Sequence, residues 1–101
     1  MRNLTLPVNT YWGGMIEDGT LDWDYREVKP YWISRICDCP PCTTDIQTIK
    51  DNIRAFDKLV FYNRSTGKKM SFNAGQIIVV SGDDYEFLMD GKYYFIIEIK
   101  R

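Results

Sequence analysis

The sequence predicts a small α+β domain whose short strands close, fully or in part, into a barrel. Three observations lead there. Six or so strand-like segments are short, and most lie in the C-terminal half. Hairpin-type turn residues separate several of them, and a sheet of such strands must hide its edges. Two or three short helical patterns complete the count.

The elements follow in order. Leu4 to Asn9 ("LTLPVN") alternates apolar and polar residues and predicts a first strand. Thr10 would cap a short helix that Gly19 ends, with Gly13 and Gly14 weakening its middle. Leu21 to Val28 alternates again. Leu21, Trp23 and Tyr25 fall on one side, Asp22, Asp24 and Arg26 on the other, and the first set is the expected core face. Pro30 stops that strand, having no N–H for the ladder, and a helical turn follows. The prolines of "CDCPPC" impose a loop. Thr44 with Gln47 resembles a capping box, and Ile46, Ile49, Ile53 and Phe56 are spaced for an amphipathic helix over 45–56. A strand over "KLVFYNR", a turn at "STGKK" and two strands either side of Ala74-Gly75 come next. The last segment, "YEFLMDGKYYFIIEIK", predicts a hairpin turning at Asp90-Gly91 in type I′ geometry.

Composition narrows the function. The 101 residues suit one domain over 1–101, and 45% hydrophobic residues suffice for a core. A net charge of −1 argues against a polycationic coat for nucleic acid. The charge is uneven. Residues 1–25 set Arg2 against Glu17, Asp18, Asp22 and Asp24, a balance of −3. Residues 46–69 set six cations against Asp51 and Asp57, a balance of +4, which is either a local basic face or ordinary solvated surface. There is no histidine, so serine–histidine and cysteine–histidine hydrolases are excluded. Without an apolar leader or a membrane-length apolar run, a cytoplasmic protein with no membrane partner is expected.

The stretch Gly19 to Arg35 carries an aromatic and charged signature: Asp24, Tyr25, Arg26, Glu27, Lys29, Pro30, Tyr31 and Trp32. In that order, and with "FDKLVFYNRS" further on, the chain resembles the ASCH domains, small phage and bacterial relatives of the RNA-binding PUA domain. The resemblance implies a PUA-like β-barrel with flanking helices and a role in binding RNA or a nucleotide. Some members hydrolyse a modified nucleoside with a turn lysine, a strand threonine and a glutamate. Here Leu21 stands at the lysine position and Asp24 at the threonine position, so no catalytic residue is expected. The alternatives left open are a phage-type inhibitor that binds a host protein and a hydrolase acting on a modified nucleoside.

The candidate ligand-binding residues are Arg26, Lys29, Trp12, Trp32, Asp24 and Asn63. A guanidinium grips a phosphate or carboxylate bidentately and also stacks on aromatic planes. Arg26 either serves a ligand in that way or pairs with Asp24 or Glu27. Lys29 would contact a phosphate, Trp12 and Trp32 would stack on bases, and Asn63 would read a base edge. Cys37, Cys39 and Cys42 have a metal-like spacing, C-x-C-x-x-C. Zinc there would need a fourth ligand from Asp38, Asp45 or a partner chain, and free thiols are the alternative.

Overall fold

The computed structural model describes residues 2–101. Strand β1 spans Asn3–Val8, helix α1 Thr10–Glu17, β2 Trp23–Glu27, α2 Pro30–Ile36, α3 Ile46–Asp51, β3 Lys58–Asn63, β4 Lys69–Ser81 and β5 Tyr93–Lys100, with a 3-10 turn at Gly82–Asp84. The architecture is α+β. The strands hydrogen-bond in the order β1-β3-β4-β5-β2. Among the described residues no helix is long and apolar enough to cross a membrane. The chain gathers into two compact units. The first holds residues up to Asp24 with Ala55–Gly75 and Glu98–Arg101; the second holds Tyr25–Arg54 with Gln76–Ile97.

In the first unit, β1 runs parallel to β3, with Leu4 opposite Leu59 and Leu6 opposite Phe61. All four side chains are buried, while Asn3 and Thr5 face out. That is the period-2 pattern read from the sequence, and a one-residue slip would expose the whole set. Phe72 of β4 meets Phe61 edge-on at 6.0 Å, and Ile16 of α1 is buried. Gly13 lets α1 come close, since a Cβ there would sit 3.4 Å from Val8. The helix cap is Asn9, one residue before the expected Thr10: its side chain accepts from the Trp12 N–H at 2.8 Å.

In the second unit, Trp32, Ile33 and Ile36 of α2 are buried, as are Ile49 of α3, Val79 of β4, Leu88, and Tyr94, Phe95 and Ile97 of β5. Pro30 occupies the first turn of α2, where its missing N–H costs nothing.

Several expectations are corrected. Helix α3 ends at Asp51, because Asn52 donates its side-chain amide to the Thr48 carbonyl and Ile53 pairs as an isolated bridge with Cys37. The cap of α3 is Asp45, which accepts from the Thr48 N–H at 3.0 Å. Strand β4 runs unbroken through Ala74-Gly75. A side chain at Gly75 would collide with Glu98, so this glycine makes room for a neighbour instead of ending a strand. The final hairpin is replaced by a loop before β5, and no residue other than glycine has positive φ among those described, so Asp90-Gly91 is not a type I′ turn. Trp23 is half-buried, not core.

Candidate functional site

The second unit contains a cleft of about 350 Å³, within the range of small-ligand sites. Lys29 stands on its wall because the backbone on both sides is fixed. The Val28 N–H donates to the Tyr93 carbonyl at 2.8 Å, and the Lys29 carbonyl accepts from Ile33 at 2.9 Å, closing the first turn of α2. Between them Lys29 is extended (φ −145°), as a residue preceding proline must be. The opposite wall comes from the Pro41–Thr44 segment and α3. Thr43 folds back on Pro40 through both its N–H and its hydroxyl, at 3.0 and 2.6 Å. Asp45 then starts α3, which turns Ile46 and Ile49 to the cleft. Gly91, in positive φ, and Lys92 complete the lining.

The cleft's charged groups are Glu27, Lys29 and Lys92. Lys92 donates to Glu27 at 3.2 Å, which neutralises both. Lys29 is exposed, and its ammonium forms no ion pair among the described residues. The net result is one open cation in a lining that also holds the apolar Pro30, Ile33 and Ile49. Such a site attracts an anionic group attached to an apolar or aromatic body.

The other predicted residues are placed differently. Trp12, Asp24 and Asn63 belong to the first unit; Arg26, Lys29 and Trp32 belong to the second. Arg26 is brought to Trp32, its guanidinium 5.0 Å from the ring centroid, but is not part of the cleft lining. Trp32 stacks on Tyr31 at 4.9 Å with an interplanar angle of 8°, and Arg35 lies 4.4 Å over Tyr31. Guanidinium, indole, phenol and guanidinium thus follow one another. Only 6% of Trp32 is exposed, so a base cannot lie on it; the exposed ring of the pair is Tyr31, at 42%. Glu27, one of the alternatives for Arg26, has Lys92 as its cation.

Asn63 is occupied by the turn it begins. Its carbonyl oxygen accepts from Ser65 and Thr66 at 2.9 and 3.3 Å, and its amide donates to the Thr10 hydroxyl at 3.1 Å. Reading a base edge would break those bonds. Trp12 is half-buried, edge-on to Tyr11 at 5.8 Å, and Asp24 is half-buried in β2.

Cys37 is buried at the end of α2, with its thiol directed to the Ile49 carbonyl at 3.8 Å. Burial, reinforced by the neighbouring Cys39, pushes that thiol up to about 12. Cys42 is exposed and lines the cleft instead. Among the described residues no three histidine, cysteine, aspartate or glutamate side chains group as a metal would need.

Lys92 and the α3 isoleucines escaped the sequence reading. They lie far from Lys29 in the chain, and no local pattern links them; only the Asp90-Gly91 turn beside Lys92 hinted at a bend there. No family model, no curated protein and no solved structure matches the chain.

Proposed function

We propose that the chain is a PUA-like, ASCH-type recognition module that binds RNA or a nucleotide, with the phosphate held by Lys29 at the cleft of the second unit. The observation that carries this reading is an exposed, unpaired ammonium lining a cleft of about 350 Å³ together with the apolar Pro30, Ile33 and Ile49. A nucleotide has the matching chemistry: a flat, weakly polar base and a charged phosphate. The α+β architecture and five-stranded sheet are in keeping with a PUA-like barrel. Arg26 and Trp32 act in this reading as positioning residues. Their contact ties α2 to β2, the two elements that meet at Lys29.

Isothermal titration with mononucleotides, the corresponding nucleosides and a short single-stranded RNA tests the proposal. Phosphorylated ligands should bind, and the nucleosides should bind at least about tenfold more weakly, the value of one charge-assisted phosphate contact. Lys29→Gln should remove that difference and lower the salt slope for RNA by about one. Titration with no heat for any of these ligands, or equal affinity in Lys29→Gln, would overturn the reading.

A further inference from the structure

Residues 82–92 form a closed loop in the second unit, and its construction points outward. The neck is tied by the Gly82 N–H donating to the Lys92 carbonyl at 2.7 Å. The Gly91 N–H donates to the Asp83 carboxylate at 2.8 Å, just inside the neck. Tyr85 bonds back to Gly82, Leu88 to Tyr85, and the Met89 N–H donates to the Tyr94 hydroxyl at 3.3 Å. Leu88 is the plug, only 7% exposed. This is the build of a compact surface loop that holds its own shape.

The loop uses that order to keep large apolar side chains in water. Tyr85, Phe87 and Met89 are 39%, 51% and 61% exposed, on either side of the buried Leu88. Phe87 is braced by Tyr85 at 5.5 Å and by Tyr25 at 5.8 Å, and Tyr25 by Tyr94 at 5.9 Å. Rigid aromatics and methionine are the residue types that dominate protein interfaces, and pre-ordering them reduces the entropy lost on docking. Around them stand Asp83, Asp84, Glu86 and Asp90, with no cation from 82 to 91.

We infer that this loop docks into an apolar pocket rimmed by lysine and arginine on a partner protein. Charge complementarity selects that occupant. Four carboxylates repel nucleic acid and anionic membrane. A second copy would set the same four carboxylates against each other across a two-fold interface. A basic rim satisfies them and leaves Phe87 and Met89 to enter the pocket. The loop's base shares Gly91 and Lys92 with the Lys29 cleft, but Tyr85, Phe87, Met89 and the four carboxylates lie outside that lining, so the two proposals fail independently.

The test uses a short amphipathic peptide of alternating leucine and lysine as a stand-in for such a pocket rim, with a leucine–glutamate peptide as control. Fluorescence anisotropy should show binding of the basic peptide alone, with amide NMR shifts concentrated over residues 83–91. Phe87→Ser with Met89→Ser, and separately Asp84→Asn with Glu86→Gln and Asp90→Asn, should each weaken binding at least about tenfold while circular dichroism stays native. Asp83 is left intact because it holds Gly91. Binding that survives both variants, or shifts confined to other residues, would overturn the inference. So would a sedimenting dimer, or attachment to phosphatidylcholine vesicles, that disappears in the Phe87→Ser, Met89→Ser protein.

Discussion

Lys68 in the first unit and Lys29 in the second are both exposed lysines lining a hollow, and they are left in opposite electrostatic states. Lys68 is paired with Glu17 across a hollow of about 170 Å³. Lys29 faces its larger cleft without a carboxylate of its own. Several other cations of the first unit are also engaged. Arg101 donates to Asp22 at 2.9 Å and to the Leu21 carbonyl, and lies over Phe72. Lys69 sits over Tyr62, and Lys58 donates to Asn73. The second unit also closes off its arginines: Arg54 bonds Asp38 at 2.6 Å and the carbonyls that end α2, and Arg26 and Arg35 rest on rings. The lesson is that the local supply of acceptors, more than the count of cations, decides where an anion can bind. The +4 stretch over 46–69 left a basic face and an ordinary solvated surface both open, and four of its six cations are engaged nearby.

Five measurements break or sharpen this contrast. Phe61→Ala strikes the buried β1–β3 layer of the first unit and should cost about 3–5 kcal/mol in urea unfolding. If the second unit then still melts cooperatively at its original midpoint, the two units are also independent in stability. Gly82→Ala should cost about 1–3 kcal/mol, because the new methyl meets the Met89 carbonyl, which is backbone and cannot swing aside. Faster amide exchange over 83–91 should accompany that loss. Arg26→Ala should lower stability by about 0.5–1 kcal/mol, the worth of a partly exposed cation–π contact, and weaken nucleotide binding by less than Lys29→Gln does. A collapse of affinity there would move the binding role from Lys29 to Arg26.

Glu17→Gln should change stability by less than about 1 kcal/mol, since the Lys68–Glu17 pair is solvent-exposed. It should also give the first unit a phosphate affinity that the native protein lacks, detectable as new amide shifts around Lys68. The smallest effect near neutral pH concerns Cys37. Its folded thiol titrates at about 12, above the ordinary value of 9.0, so the fold binds the proton more tightly than the unfolded chain does. That stabilisation is complete below about pH 9 and is lost as pH rises towards 12. Denaturation midpoints measured across that window should fall, and Cys37→Ala should flatten the thiol's share of the slope.

The parts of the molecule that were legible in the sequence are those whose cause is local. Leu4 and Leu6 alternate with the outward Asn3 and Thr5, and that pattern implies a half-buried strand, while the apolar run from Leu59 to Tyr62 marks another. Pro30 announced the end of β2, and Gly67, in positive φ, marks the turn before β4. Lys29 was legible as a candidate because it precedes that proline. Misreadings arose wherever a distant residue made the decision. Ile53 continues a helical spacing but pairs with Cys37, and Gly75 resembles a breaker but accommodates Glu98. The end of the chain read as a hairpin until Gly82 and Lys92 closed it as a loop with Leu88 inside. Trp32 suited a stacking platform by type, but its burial depends on how α2 packs.

The α+β class, the first and third strands, the exclusion of histidine chemistry and a lysine whose backbone is restricted by a following proline could all be read from the residues alone. Each follows from side-chain period, ring constraint or plain absence, which need no knowledge of what lies across the fold. Tertiary structure alone decided which cations have carboxylates beside them, which aromatics remain in water and which distant residues wall the Lys29 cleft. Those outcomes depend on groups brought together from remote parts of the chain. Electrostatic pairing and burial act through space over a few ångströms, and sequence separation does not report that distance.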